Sequence, residues 1–98
     1  MAAYFVFNHR VIDSDKLNNE YLPKAVETLE PYDIEILAVD QDYELVEGNT
    51  SDDRMVILKF ASKEEALKWY NSPEYQAIVH LRLESVEGRA VLCDEWTG

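Results

Sequence analysis

This chain is poor in the residues that staple, punctuate or recruit: among 98 residues there are one cysteine, three glycines, three prolines and nine basic side chains. A single cysteine, Cys93, excludes an internal disulfide and any cysteine-based zinc cluster, and its place in an apolar stretch reads as a buried, inert thiol. Glycines only at positions 48, 88 and 98 leave no phosphate-cradling loop. Nine basic residues against twenty acidic ones give a formal net charge of -11 with no basic cluster, which argues against a nucleic-acid partner. The acidic excess describes a soluble, self-repelling surface, with adaptation to high salt as the sharper reading. No apolar run reaches the ~20 residues that cross a bilayer, and no charged start precedes an apolar segment. No membrane partner and no export are expected, and a cytoplasmic location follows as the expectation.

What is present suffices for one domain, residues 1–98, with 47% hydrophobic residues. A chain of this length buries roughly 60 to 65% of its unfolded surface, so a partner copy would add stability. The richest stretch runs from Phe60 to Gln76. Ser62 followed by Glu65 is a capping box that starts a helix. Ser72-Pro73-Glu74 starts a second one, with serine as cap, proline at the first helical position and an acid at the positive end of the helix dipole. Trp69 and Tyr70 close the first of these segments and read as core packing more than as a ligand wall.

Upstream, Ala3 to Val11 is aromatic and β-branched and reads as a strand, with Tyr4, Val6, Asn8 and Arg10 on one face and Phe5, Phe7, His9 and Val11 on the other. A helix capped by Asp13 or Ser14 runs to about Glu30, burying Leu17, Tyr21, Ala25 and Leu29, although Pro23 should kink or split it. Ile34 to Val39 and Tyr43 to Glu47 read as one strand broken at Asp40-Gln41-Asp42. Arg54 to Phe60 is the next, with Val56, Leu58 and Phe60 on one face and Met55, Ile57 and Lys59 on the other. The paired helices extend to about Ser85, Gly88 marks a turn, and Arg89 to Glu95 is the last strand. The order, strand, helix, strand, strand, helix, strand, gives an α+β class: a ferredoxin-like βαββαβ domain with a four-stranded antiparallel sheet and its second helix split into two segments. Apolar residues on both strand faces leave one face uncovered by helices, so a homodimer with sheets face to face is expected.

Glu47-Gly48, Asp53-Arg54, Val56, Phe60, Ser62, Glu65-Ala66 and above all Trp69-Tyr70-Asn71-Ser72-Pro73-Glu74-Tyr75-Gln76 resemble the family catalogued as domain of unknown function 1330, in the dimeric α/β-barrel superfamily. The likeness covers nearly the whole chain and implies a ferredoxin-like protomer in a barrel-like dimer. Asp53, Arg54, Trp69, Tyr70, Ser72, Pro73 and Tyr75 form its structural signature, with Asp53-Arg54 read as a pinned loop more than as a pocket lip. Tyr32-Asp33 replaces the paired glycines the family would have after the first helix, and Trp96-Thr97-Gly98 runs past its usual end. Similar superfamily members include cofactor-independent oxygenases, isomerases, lactone-forming enzymes and haem proteins, among which fold does not select.

Candidate site residues are few. His9 and His80 lie on different elements, and a catalytic histidine needs a positioned partner. His80 with Glu84 has one-turn spacing, but two ligands are too few for a metal. Asp40, Asp42 and Glu44 imitate a calcium loop, yet Leu45 stands where glycine is needed and Ser51 where the glutamate belongs. Asn49-Thr50-Ser51 reads as a turn, and Ser62 and Ser72 are occupied as caps. Neither metal nor cofactor is called for. The polar set able to project into an apolar cleft is Tyr4, Asn8, Arg10, Lys59 and His80. Two functions fit: binding a small, partly apolar molecule between sheet and helices, or a cofactor-independent oxygenase or isomerase.

Overall fold

In the computed structural model, which describes all 98 residues, β1 (Ala3–Val11) sets the layering through its parity. Ala3, Phe5, Phe7 and His9 are buried beneath the helices, whereas Tyr4, Val6, Asn8 and Arg10 are only half-buried on the opposite face. Asp13 caps the short α1 (Ser14–Lys16), its carboxylate accepting the Lys16 amide at 3.1 Å. A π-helical turn, Leu17–Tyr21, then leads into α2 (Leu22–Leu29). That turn resolves the conflict at Pro23. The Leu22 amide donates to the Leu17 carbonyl five residues back, and the widened turn admits a ring that would collide with the carbonyl four residues back in a regular helix. The stripe Leu17, Tyr21, Ala25 and Leu29 therefore continues unbroken and is buried along its length.

β2 (Ile34–Asp40) is shorter than the sequence suggests: Tyr43 to Glu47 is loop. The loop turns back over the open sheet face, where the Tyr43 hydroxyl donates to Asn8 Oδ1 at 3.1 Å. A side chain engaged across the sheet and an irregular shift between Ile36 and Ala38 explain why the alternation does not extend pairing past Asp40. β3 (Arg54–Phe60) follows. Ser62 caps α3 (Lys63–Tyr70), accepting the Glu65 amide at 3.1 Å. Ser72 caps α4 (Pro73–Gln76), accepting the Tyr75 amide at 3.2 Å while its own hydroxyl donates to the Trp69 carbonyl at 2.7 Å. A further short helix, α5 (Val79–Leu83), completes the second helical layer in three pieces where two were expected.

β4 (Val86–Asp94) begins three residues earlier than predicted, and Gly88 lies within it instead of marking a turn. Gly88 pairs with His9 at φ +148°; a Cβ there would collide with the Asn8 carbonyl and stand 2.9 Å from the His9 Cα. The four strands are antiparallel in the order β2-β3-β1-β4, the ferredoxin-like arrangement, with helices on one face. No helix is long and apolar enough to cross a membrane.

Fourteen buried residues form one core between sheet and helices. Its centre is aromatic: Trp69 lies 4.2 Å from Tyr75 and 5.6 Å from Phe60, ring centre to ring centre. The Trp69 indole N–H donates to Thr28 Oγ1 at 3.0 Å, which ties α3 to α2. The opposite face of the sheet carries Tyr4, Val6, Met55, Ile57, Lys59 and Val91 with no helix over it. Cys93 belongs to that face and is exposed, which corrects the expectation of a buried thiol: the strand is apolar, but β4 is an edge strand and its outward residues are uncovered.

Candidate functional site

One cavity dominates the molecule, about 430 Å³ between α2, β2 and the helix-facing side of the sheet. Eleven of its sixteen lining residues are hydrophobic, among them Phe7, Leu22, Val39 and Val56. Val26, Ile36 and Val39 are about half exposed and border it. The other five lining residues are Pro23 and the polar Asn18, His9, Arg54 and Arg82, to which Tyr21, counted among the eleven, adds a hydroxyl.

The parity of the strands puts the basic residues there. His9 continues the row Phe5, Phe7 on β1, and Arg54 continues the row Val56, Leu58, Phe60 on β3, so both point toward the helices. The register makes His9 and Arg54 direct cross-strand neighbours. Arg82 arrives from α5, its guanidinium 5.1 Å above the Phe7 ring, a cation–π placement. Its Nη1 lies 3.3 Å from His9 Nε2, and Arg54 Nη1 lies 3.5 Å from His9 Nδ1. Arg82 Nε donates to the Tyr75 hydroxyl at 3.2 Å, and the Tyr75 and Tyr21 hydroxyls share a hydrogen bond of 2.7 Å.

The electrostatics of this cluster are unusual. Arg54 and Arg82 are 1% and 5% exposed, the only buried Lys or Arg side chains. Neither is in any of the four ion pairs of the protein, which join Arg10 to Glu87, Lys16 to Glu84, Lys59 to Glu35 and Lys63 to Asp94 at the surface. Burial, then Arg82, then Arg54 drive the His9 pKa down to about 4, so its imidazole is neutral at pH 7. A neutral imidazole has one acceptor nitrogen, so it accepts from only one of the two guanidiniums. Burial and the Tyr75 hydroxyl push the Tyr21 phenol far up, so it supplies no counter-charge. Arg54 Nε and Nη2 are buried with no hydrogen-bond partner at all.

The residues named from sequence lie elsewhere. Tyr4, Asn8, Arg10 and Lys59 share the sheet face opposite the helices, with Asn8 bound to Tyr43, Arg10 to Glu87 at 2.6 Å and Lys59 near Glu35. His80 is exposed on α5. None of the five borders the cavity between sheet and helices: strand parity puts Tyr4, Asn8, Arg10 and Lys59 on the other face of the sheet, and His80 is on the solvent side of α5. Asp53 ties its loop to β1, its amide donating to the His9 carbonyl at 2.8 Å and its carboxylate accepting the Val11 amide at 3.1 Å. Arg54, its neighbour, enters the cavity. Ser72 and Pro73 shape the α3–α4 junction, and Tyr70 and Tyr75 pack 5.4 Å apart. Asn18, Tyr21, His9 and Arg82 are the cavity residues the sequence reading did not select. Parity with Phe5 and Phe7 was the available signal for His9; nothing comparable marks Arg82, whose direction depends on a short helix. No group of three or more His, Cys, Asp or Glu stands close enough to hold a metal ion.

Fold and cavity define a ferredoxin-like α+β domain with an apolar pocket closed by basic groups. The family model described as "Domain of unknown function (DUF1330)" matches residues 2–96, and the chain belongs to that family. Among solved structures, the RPA0582 protein of unknown function from Rhodopseudomonas palustris is similar, with a TM-score of 0.77 and 15% identity over 99% of this chain and 84% of that one. SnoaB, a cofactor-independent oxygenase from Streptomyces nogalater, superimposes at a TM-score of 0.68 with 8% identity, covering 99% of this chain and 95% of its own. A dimeric ferredoxin-like protein of unknown function from Thermobifida fusca gives 0.59 with 15% identity over 97% and 92% of the two chains. No curated protein matches in sequence.

Proposed function

We propose that the protein binds a small, partly apolar molecule between its sheet and its helices, and that it does so as a homodimer. The observation that carries the binding reading is the cavity itself: about 430 Å³, mostly apolar walls, and a few convergent polar groups at one end. That is the makeup of small-molecule sites, which run from roughly 300 to 1,000 Å³. The dimer is supported by the helix-free sheet face, where Tyr4, Val6, Ile57 and Val91 are partly or wholly exposed, and by the description of the Thermobifida fusca relative as dimeric.

A cofactor-independent oxygenase or isomerase is the second reading, favoured by one feature: buried guanidiniums beside an apolar cavity would stabilise a developing oxyanion. His9 is a weak base for such chemistry, since its pKa of about 4 leaves little drive to take a proton at pH 7.

The test of binding is a titration of the protein with 1-octanol, an uncharged probe, and separately with octanoate, followed by amide NMR. Saturable shifts confined to cavity residues such as Leu22, Val39 and Val56 are expected, and Val26→Trp at the mouth should abolish them. Shifts scattered over the surface, or none from either 1-octanol or octanoate up to their solubility, would end the reading. Sedimentation at micromolar concentration decides the oligomer: a monomer there removes the dimer.

A further inference from the structure

We propose that the ligand of this cavity carries a carboxylate, bound by the Arg54 guanidinium with Arg82 beside it, on an apolar body that fills the rest of the pocket. The inference rests on the cavity being a binding site, as proposed above, and names the chemical class that it takes.

Arg54 is the reason. Its side chain is 1% exposed and lines the cavity, and its Nε and Nη2 make no hydrogen bond. Those two nitrogens share one edge of the guanidinium plane and point two N–H groups in parallel, the fork that a carboxylate meets with two oxygens. The third nitrogen, Nη1, has only the 3.5 Å approach to His9 Nδ1. The imidazole accepts once, and the shorter contact at 3.3 Å belongs to Arg82. A buried cation is ordinarily matched by a carboxylate, and this chain has twenty acidic residues to offer, yet neither buried arginine is paired with one. An incoming carboxylate would supply the missing charge and the missing acceptors together.

The geometry also limits what else fits. The one unpartnered fork, Arg54 Nε and Nη2, suits the two oxygens of a carboxylate. A phosphate dianion would bring more acceptor oxygens than that fork has donors to meet. An alcohol or amide would leave the guanidinium charge uncompensated. At the ~30 Å³ that a water molecule occupies in the liquid, the cavity has room for a ligand on the order of a dozen non-hydrogen atoms. A medium-chain or arylalkenyl acid has that size.

The experiment pairs acids with their alcohols: octanoate against 1-octanol and cinnamate against cinnamyl alcohol, by calorimetric titration of the full chain at pH 7. Each acid should bind roughly tenfold or more tightly than its alcohol, as expected for a charge-assisted bidentate contact. Arg54→Met should erase that preference, bringing each acid's affinity down to that of its alcohol measured on the same variant. Arg54→Lys, which keeps the charge and loses the fork, should retain only part of it. Acids binding no better than alcohols, or a preference that survives Arg54→Met, would overturn the carboxylate inference and leave the cavity reading standing. Failure of all four compounds to saturate at millimolar concentration would remove both.

Discussion

His9 Nε2 and Arg82 Nη1 meet at 3.3 Å in the interior although the residues are 73 positions apart, and the contact needs an uncharged imidazole. Burial first, then Arg82 and Arg54, hold the His9 pKa at about 4, against about 6.5 in an unfolded chain. Between those values the unfolded state binds the proton that the folded state refuses. Stability is therefore complete above pH 6.5 and falls as the pH drops through the window to 4. Between pH 7 and pH 4.5 the loss is on the order of 2 kcal/mol. Urea unfolding at pH 7 and pH 4.5 should show wild type losing about that much more than His9→Gln, which cannot titrate. Parallel pH profiles for the two would refute the account, and the surface carboxylates common to both cancel in the comparison.

Arg54 places a second demand on the unliganded protein. A buried guanidinium with two unpartnered nitrogens destabilises the fold, and an apolar side chain of similar length relieves it. Arg54→Met should raise the unfolding free energy by about 1 to 2 kcal/mol in the absence of ligand. A loss of more than ~1 kcal/mol would mean that the charge is already satisfied in the free protein.

The architecture was readable because local signals agreed. Ser62 and Ser72 cap the helices they were expected to cap, and the stripe Leu17, Tyr21, Ala25, Leu29 is buried as its spacing predicts. The family resemblance and the ferredoxin-like class follow from the same segments. The site was not readable in that way. β1 is apolar on both faces near its start, so hydrophobicity alone cannot say whether His9 or Arg10 faces the helices, and a single step in parity exchanges them. The tie is broken by size: the helices cover the phenylalanine row and leave Tyr4 and Val6 to the open face. On β3 the row Val56, Leu58, Phe60 already implied Arg54 by extension, but an arginine at a strand start is normally solvated, which masked it. Cys93 and Gly88 were misjudged for a related reason. Both depend on which strands are neighbours: β4 is an edge, and its approach to β1 at His9 is close.

Gly88 gives a test of that close approach. Its φ of +148° is one that side chains rarely adopt, and an added methyl would strike the backbone at Asn8 and His9, which cannot yield as a flexible side chain would. Gly88→Ala should cost roughly 2 kcal/mol or more in denaturant unfolding, well beyond an ordinary strand substitution, whereas Gly48→Ala, with φ +93° but open space around it, should cost less. Equal costs at the two positions would show that backbone conformation alone matters and that the β1–β4 contact is not tight.

Trp69 sits where core and cavity meet, and its replacement separates the two roles. The ring is 1% exposed, packs against Tyr75, Phe60 and Phe5, and donates to Thr28 across the helix layer. It also borders the cavity. If packing dominates, Trp69→Ala should cost about 3 to 5 kcal/mol, and Trp69→Phe should recover more than half of it by refilling the space without the N–H. A loss well below 3 kcal/mol accompanied by loss of 1-octanol binding would instead make the indole a wall of the pocket. The first outcome is expected, because the tryptophan holds α3 to α2 through Thr28 while the cavity wall on the open side is built by Leu22, Val26, Ile36 and Val39.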